Sequence, residues 1–295
     1  EKLSSSESRI FIYGPTGSGK ELIARKIHKL SKRSKGPFII LNGALLDVKK
    51  YELELFGEEK ENGSITYGSL EKASGGTLLI DEISEIPLET QSKILRVLID
   101  QKFKRVNGTN DVSVDVRLIC SSSKDLKKEI EIGNFREDLF HRINVFEINI
   151  EPLNQRISDI PLLIKYFSKK ISENYKIKEL DIDENNSYIL NHNWHGNVRE
   201  LRNLIERIAI LQPDTKDKIS NIIKESLKNT NFDDQLAENS LSVPLKEARE
   251  KFEKEYLTIQ LKKFNGNISK TANFVGMERS ALHRKLKGLG IKEFN

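Results

Sequence analysis

The sequence has few of the residues that mark secreted, metal-bound or membrane proteins. Its single cysteine, Cys120, excludes an internal disulfide and fits a reducing compartment. Its five histidines show no paired spacing of metal ligands, which argues against structural zinc. No apolar run is long enough to span a membrane, and no Lys/Arg-led apolar leader is present. We therefore expect a cytoplasmic protein without membrane contact.

Charge is abundant in this chain, and it is unevenly spread. The 295 residues, 37% hydrophobic and 32% charged, are enough for two or three folded domains. Residues 246–295 hold 12 Lys/Arg against 6 Asp/Glu, whereas the first 245 residues hold 37 against 38. A concentrated basic end suggests a polyanion partner, most often nucleic acid, although charge alone favours a solvated surface helix.

Short apolar runs alternate with helical patterns up to about Ile150, which is typical of an α/β sheet with mainly parallel strands. The predicted strands are 10–13, 38–41, 78–80 and 116–119, with helices at 21–30 and 89–100. After Pro152 only helical periodicity remains, at 160–174, 197–211 and 245–287. The polar composition of 229–242 predicts a flexible linker. We therefore divide the chain into four parts, residues 1–151, 152–228, 229–245 and 246–295.

A glycine-rich segment follows the first predicted strand and opens the first predicted helix. It fits the pattern G-x-x-x-x-G-K and consists of Gly14, Pro15, Thr16, Gly17, Ser18, Gly19 and Lys20. Glycines let backbone N–H groups turn toward a phosphate, the helix N-terminus adds positive potential, and the lysine supplies a point charge. The flanking strand and helix favour a nucleotide-phosphate site over an ordinary glycine-rich turn. Glu21 departs from the general motif, which has Ser or Thr there for magnesium.

Two adjacent carboxylates end the strand predicted at 78–80. Asp81 can hold magnesium through water, and Glu82 can orient or deprotonate an attacking water. Taken alone, the pair is also typical of an acidic helix cap. Together with the glycine-rich segment it favours a nucleotide site, because both strand ends lie on the same edge of such a sheet.

Two arginines, Arg136 and Arg142, lie six residues apart on a predicted helix. Arginine is suited to neutralising the charge that develops during phosphoryl transfer. The spacing also fits two salt-bridged surface arginines, so on this evidence both interpretations stay open.

In combination these motifs resemble the bacterial enhancer-binding proteins, the sigma-54-dependent AAA+ activators of the NtrC type. The phosphate loop with Glu21 resembles that family's own variant, and residues 75–83 resemble its Walker B segment. Residues 54–57 resemble the block before its first surface loop, and 194–201 resemble the second sensor of its lid. The resemblance implies an α/β AAA+ P-loop NTPase domain with a helical lid, ATP and magnesium as cofactors, self-association as a dimer or hexameric ring, and an upstream receiver domain.

The resemblance also implies roles for individual residues. Arg136 and Arg142 match the arginine fingers that reach into the neighbouring subunit's site. Arg199 matches the nucleotide-contacting residue of the second sensor. Asn42, at the end of the second strand, matches the residue that restrains the catalytic Glu82 in that family.

The basic end resembles a Fis-type all-α helix-turn-helix, and in particular the end of NtrX-type nitrogen-regulation response regulators. Residues 268–276 match the supporting helix and turn, and 279–289 match the recognition helix. Leu282 and Leu286, with Leu289, form an apolar stripe for packing. The residues predicted to face double-stranded DNA are Arg279, Ser280, His283, Arg284 and Lys287.

Three segments depart from the family's pattern. The sigma-54-contacting loop reads Gly-Ala-Phe-Thr-Gly-Ala in the family, and residues 58–69 lack that motif. Ser122 and Ser123 stand where the first sensor usually has Thr-Asn, although serine can still hydrogen-bond a phosphate or water. His195 replaces the usual proline of the lid. ATP hydrolysis is still expected, whereas the usual grip on sigma-54 is not.

The sequence predicts a cytoplasmic, ATP- and DNA-binding transcription regulator of a two-component system, and three mechanisms compete for it. The first is an ATPase that remodels RNA polymerase holoenzyme through sigma-54. The second is a repressor, or an activator of the housekeeping polymerase, in which ATP only controls oligomerisation. The missing loop motif and altered sensor favour this one. The third, an ATP-binding replication initiator, is disfavoured by residues 194–201 and the Fis-like end.

Overall fold

The fold is described here from a computed structural model, which covers residues 6–45, 50–178, 180–213, 215–227, 245–264 and 266–291. The chain divides at Ser220 into two compact units. The predicted linker at 229–242 lies outside the described residues. Within the described residues, no helix is both long and apolar enough to cross a membrane.

The first unit is built on a five-stranded parallel sheet with the strand order β2-β5-β8-β1-β9. Its strands are β1 Ile10–Tyr13, β2 Phe38–Asn42, β5 Thr77–Asp81, β8 Arg117–Ser122 and β9 Phe146–Asn149. The first four confirm the strands predicted from apolar runs. Strand β9 was not predicted, because most of its residues are exposed and it carries no continuous apolar run.

Alternate residues of these strands face two different hydrophobic cores, as the period of a strand requires. Ile10 and Ile12 pack with Ala24 and Ile27 on one side of the sheet, whereas Phe11 belongs to the core on the other. The helices of this region are α1 Lys20–Lys29, α2 Tyr51–Phe56, α3 Ser69–Lys72, α4 Leu88–Asp100, α5 Leu126–Glu131 and α6 Glu137–Ile143.

Two short antiparallel hairpins stand beside this sheet. They are β3 Gly57–Glu59 with β4 Ile65–Tyr67, and β6 Lys102–Lys104 with β7 Asp111–Ser113. A parallel bridge between Glu58 and Val106 joins them. The segment predicted to be a shortened surface loop, 58–69, is therefore mostly a hairpin, since its polar turn residues allow the chain to fold back on itself.

After Pro152 the described residues form helices and connecting loops with no strand, as predicted. Its helices are α7 Ile160–Tyr175, α8 Ser187–Leu190, α9 Asn197–Leu211 and α10 at residues 216–227. Helices α7 and α9 pack together, and each buries aliphatic residues, among them Ile164 on α7 and Leu201 and Ile208 on α9. We refer to the part of this region that belongs to the first unit, residues 152–220, as the lid.

The second unit ends in three helices, α11 Leu245–Lys263, α12 Ile268–Val275 and α13 Arg279–Gly288. The side chain of Asn267 caps α12, and Gly276 ends it with a left-handed φ of 69°, a conformation that glycine adopts without strain. Leu282 and Leu286 are buried with Leu257 and Leu261. The predicted supporting helix, turn, recognition helix and apolar stripe are all present.

Candidate nucleotide site and DNA interface

The phosphate loop connects the end of β1 to the start of α1, and each of its three glycines has no room for a side chain or adopts a left-handed backbone. A Cβ on Gly14 would lie 2.8 Å from the Ile150 carbonyl oxygen. Gly17 and Gly19 have φ values of 78° and 105°. Gly17 also lies against the lid, because a Cβ there would be 2.3 Å from the Gly196 carbonyl oxygen. The loop geometry therefore requires glycine, as the motif predicts.

Lys20 and Glu82 meet at the centre of the site. The Lys20 ammonium lies 2.9 Å from Glu82 Oε1 and donates to the Gly14 carbonyl oxygen at 2.8 Å. Glu82 Oε2 accepts hydrogen bonds from the Ser123 backbone N–H at 2.7 Å and hydroxyl at 2.8 Å. Burial alone would raise the pKa of Glu82, but the hydrogen bonds from Lys20 and Ser123 outweigh it and lower the pKa. Glu82 is therefore a partly buried, ionised carboxylate.

Asp81 ends β5 beside two other strand ends. The Ser121 hydroxyl donates to Asp81 Oδ1, and the Asn42 side-chain amide donates to Asp81 Oδ2 at 3.4 Å. Asn42 was expected to restrain Glu82, but its side chain contacts Asp81 in this structure, because Asn42 and Asp81 are register partners on adjacent strands. Lys20 and Ser123 restrain Glu82 instead.

The backbone changes conformation between Asp81, the last residue of β5, and Glu82, the residue that follows it. Glu82 has φ 54° and ψ 55°, an uncommon left-handed conformation for a residue with a side chain. Gly43 makes this possible, since a Cβ at that position would lie 2.4 Å from the Glu82 carbonyl oxygen. Left-handed backbone at a non-glycine residue is often found at functional sites, where surrounding contacts offset its cost.

The lid donates hydrogen bonds to three consecutive carbonyl oxygens of the phosphate loop. We call these three hydrogen bonds the lid clasp. The hydrogen bonds run from the Asn197 side-chain amide to Thr16 at 3.0 Å, from the Arg199 backbone N–H to Gly17 at 3.3 Å, and from the Arg156 guanidinium to Ser18 at 2.8 Å. The predicted nucleotide contact, Arg199, thus lies beside the phosphate loop with an exposed side chain.

A buried histidine supports the lid turn that carries this clasp. His192 Nε2 and Glu200 Oε1 are 2.8 Å apart, and Glu200 Oε2 accepts from the Gly196 backbone N–H at 2.9 Å. Burial would raise the pKa of Glu200, whereas the hydrogen bonds from His192 and Gly196 lower it below its usual value. Trp194, buried below this turn, donates its indole N–H to the Ile189 carbonyl oxygen.

Three other predicted residues lie on exposed surfaces of the first unit. Glu21 forms an ion pair with Arg25 one turn further along α1, at 2.7 Å. Arg136 precedes α6 and makes a two-pronged ion pair with Asp138, at 3.0 and 2.7 Å. Arg142, on α6, donates to the Leu98 carbonyl oxygen at 3.3 Å.

The predicted DNA-facing residues are all exposed on α13. Arg279, Ser280, His283, Arg284 and Lys287 lie away from the buried leucines. With residues of α12 and the turn, four of them line an open groove of about 1070 Å³. Basic side chains on an exposed helix that follows a tight turn are typical of a recognition helix.

Family models match three consecutive parts of the chain. Residues 1–149 match the sigma-54 interaction domain, 154–239 match the AAA+ ATPase lid domain, and 248–289 match the bacterial regulatory protein, Fis family. The chain belongs to the sigma-54 activator family of transcription regulators. This membership confirms the predicted α/β AAA+ fold with a lid and a Fis-type helix-turn-helix. It favours the sigma-54 activator over a regulator that acts without sigma-54.

Several members of this family are similar to the chain over almost its whole length. The nitrogen assimilation regulatory protein NtrX of Azorhizobium caulinodans is 46% identical over 99% of the chain and 66% of its own length. AtoC of Escherichia coli is 38% identical over 98% of the chain and 64% of its own length. The crystal structure of NtrX from Brucella abortus in complex with ATP is 47% identical, with a TM-score of 0.71, over 98% of the chain and 65% of that structure. The chain thus spans about two thirds of these relatives.

The sequence pattern does not reveal two residues that shape the candidate nucleotide site, Arg156 and Asn197. The only sequence signal at Arg156 is its position shortly after the last strand, in the segment that begins the lid. Asn197 belongs to the motif at residues 194–201, which assigns it no role of its own. Neither contact is readable from local pattern, because each joins residues far apart in the chain, such as Arg156 and Ser18.

Proposed function

We propose that the chain is an ATP-hydrolysing, DNA-binding transcription regulator whose activity depends on self-association. The observation that carries the proposal is the contact between Lys20 of the phosphate loop and Glu82 at the end of β5. This contact brings a phosphate-binding cation and a water-activating carboxylate to one point, as ATP hydrolysis requires. The crystal structures of Brucella abortus NtrX in complex with ATP and with ADP support the choice of nucleotide.

Each residue of the site has a definite task in this proposal. Lys20 and the backbone N–H groups of residues 14–20 bind the phosphates. Glu82 orients and deprotonates the attacking water, and Ser123 occupies the position of the first sensor. Arg199 contacts the nucleotide from the lid. The side chain of Asn42 keeps the Asp81 carboxylate in place, and Glu21 occupies the position that follows Lys20 at the start of α1. Glu82 acts as a base because its carboxylate is ionised and its water would lie within hydrogen-bond reach.

Magnesium fits the donors that are present. The carboxylate oxygens of Asp81 are of the kind this ion prefers, directly or through water. Among the described residues, no group of three or more His, Cys, Asp or Glu could hold a metal. The ion would therefore depend on oxygens of the nucleotide and of water for most of its coordination, and it would neutralise phosphate charge.

Self-association completes the site in this proposal. Arg136 and Arg142 are exposed on one subunit and would reach the nucleotide of the next subunit in a ring, which we take to be a hexamer. A separate dimer contact is proposed for α11, which exposes Phe252, Tyr256 and Ile259 at helical spacing along one face. Exposed apolar side chains aligned in this way are typical of a protein–protein contact.

The DNA-binding end sets where the regulator acts. The side chains of Arg279, His283 and Arg284, with Ser280 and Lys287, would enter the major groove or contact phosphates. The hairpins β3–β4 and β6–β7 are the surface we propose for contact with RNA polymerase holoenzyme, through sigma-54. The receiver domain implied by the resemblance would place the protein in a two-component system, and the cytoplasm is its expected location.

The test is ATP hydrolysis measured across a range of protein concentrations. We expect specific activity to rise with concentration, and Glu82→Gln to abolish hydrolysis while the variant still binds specific DNA. Constant specific activity would contradict a site completed by a neighbouring subunit. For the polymerase contact, the protein trapped with ADP and a metal fluoride is mixed with purified sigma-54, with an NtrC-type activator as positive control. Absence of binding would contradict the sigma-54 contact.

A further inference from the structure

Asn197 is held in a geometry that serves the phosphate loop. It is 2% exposed, and both ends of its side chain are bonded. Its Oδ1 accepts from the Leu153 backbone N–H at 2.8 Å, which orients the amide so that Nδ2 donates to the Thr16 carbonyl oxygen at 3.0 Å. Its φ of 52° lies in the left-handed region, which asparagine tolerates better than most residues.

Arg156 reaches the same loop from a different part of the lid. It lies between two short 3₁₀ helices, Leu153–Gln155 and Ile157–Asp159. Its Nη2 donates to the Ser18 carbonyl oxygen at 2.8 Å, and its Nη1 lies 3.7 Å from the Asp159 carboxylate. A charged donor makes this hydrogen bond stronger than one between neutral groups.

The lid clasp also determines where the loop's N–H groups point. In a trans peptide the carbonyl oxygen and the N–H of the following residue point in opposite directions. Because the carbonyls of Thr16 and Ser18 are directed to Asn197 and Arg156, the N–H groups of Gly17 and Gly19 point away from those donors. These are backbone donors of the kind that cradle phosphates in glycine-rich loops.

We propose that Asn197 and Arg156 are positioning residues that hold the phosphate loop in its nucleotide-binding form. Attachment of the lid then sets nucleotide affinity through the backbone of the loop, in addition to any contact made by Arg199. This inference rests on the proposed binding of ATP at Lys20. Neither residue touches the nucleotide, and both act through the loop.

The test compares ADP binding by calorimetry in the whole chain and in Asn197→Ala, Arg156→Met and the double variant. Since each change removes one hydrogen bond to the loop, we expect an affinity loss of roughly five- to tenfold for each. The double variant should lose less than the product of the two, because both residues support one loop. Arg156→Lys, which keeps a donor, should recover part of the loss. Without nucleotide, hydrogen exchange of the loop amides should be faster in Asn197→Ala and Arg156→Met than in the unchanged protein. A general loss of stability would instead speed exchange over the whole chain.

The matched control is Arg202→Met, which removes an exposed arginine of α9 that pairs with Glu206. It should bind ADP like the unchanged protein. If the unchanged protein binds ADP, Lys20→Ala does not, and both positioning variants bind normally, this inference is overturned while the proposed function stands. If the unchanged protein does not bind ADP, both are overturned. Should Asn197→Ala fail to fold, Arg156→Met decides the matter alone, because Arg156 is only partly buried.

Discussion

Lys20 is shared between Glu82 and the Gly14 carbonyl oxygen, at 2.9 and 2.8 Å. The ammonium that would bind a phosphate is therefore neutralised by the carboxylate that would activate water. A phosphate oxygen must compete with Glu82 for this cation. The ion pair is almost fully buried on the lysine side, so solvent screens it little.

Glu82→Gln should bind nucleotide more tightly than the unchanged protein and hydrolyse it far more slowly. The amide removes the competing negative charge beside Lys20, and it cannot accept the proton of the attacking water. We expect a rate loss of at least about 100-fold, typical of a missing general base. Titration with a fluorescent ADP analogue and a phosphate-release assay measure the two effects. Weaker binding by Glu82→Gln would contradict the competition between Glu82 and phosphate.

The lowered pKa of Glu82 predicts a pH dependence of stability. A carboxylate whose pKa is lower in the folded state stabilises the fold above its ordinary pKa of 4.5 and loses that contribution as pH falls through the folded value. The unfolding free energy of the unchanged protein should therefore decrease relative to Glu82→Gln as pH falls below 4.5. Urea unfolding of both proteins from pH 7 to pH 3.5 measures this difference in unfolding free energy. Groups that titrate in both proteins contribute equally and cancel in the difference. A constant difference across that range would contradict the lowered pKa.

The local sequence pattern predicted the parts of the fold that are buried or that contain a recognisable motif. Strands β1, β2, β5 and β8 show as apolar runs, because both faces of a parallel sheet are covered. The phosphate loop, Asp81 and Glu82 could be placed at one edge because parallel strands end together. Strand β9 and the two hairpins were not predicted, since exposed residues do not need to be apolar.

The missed contacts of the site are long-range. The sequence cannot indicate that Ser123 rather than Asn42 holds Glu82, because this depends on the register of β2, β5 and β8 and on the left-handed backbone at Glu82. In the same way, Arg156 looks like any charged loop residue until the lid folds over the phosphate loop. Such contacts follow from tertiary packing, which periodicity does not encode.

Mixed rings should restore hydrolysis if Arg136 acts on the neighbouring subunit. Arg136→Ala removes the finger, and Glu82→Gln removes the base, so each variant alone should be inactive. In a mixture, some sites pair an intact Glu82 with an intact Arg136 and should regain activity. The phosphate-release assay over a series of mixing ratios measures this. The control is Asp138→Asn, which removes the ion-pair partner of Arg136 but leaves the arginine in place. This variant should stay active. No recovery at any ratio would contradict the arrangement in trans.

The exposed face of α11 should control dimerisation of the DNA-binding end. Phe252 and Ile259 are 63% and 59% exposed, and the ring of Phe252 stacks on Tyr256. Ile259→Asp should shift the protein toward monomer in sedimentation and weaken binding to a two-site DNA by roughly 100-fold or more, because two linked sites gain avidity. Lys254→Ser, on the opposite side of the helix, should change neither. Dimers of unchanged stability in Ile259→Asp would exclude this face.

Two glycines with almost the same backbone separate the effect of strain from the effect of contact with the lid. Gly17 has φ 78° and Gly63 has φ 79°, but a Cβ on Gly17 would lie 2.3 Å from the Gly196 carbonyl oxygen, whereas a Cβ on Gly63 meets nothing within 4 Å. Gly63→Ala should cost about 1 kcal/mol, since alanine resists a left-handed backbone. Gly17→Ala should cost roughly 1–3 kcal/mol more, the usual cost of overpacking, and it should also reduce ADP affinity by moving the lid away from the phosphate loop. Urea unfolding and calorimetry measure both variants. Equal destabilisation, with normal ADP binding in Gly17→Ala, would mean that the lid does not rest on the loop in solution.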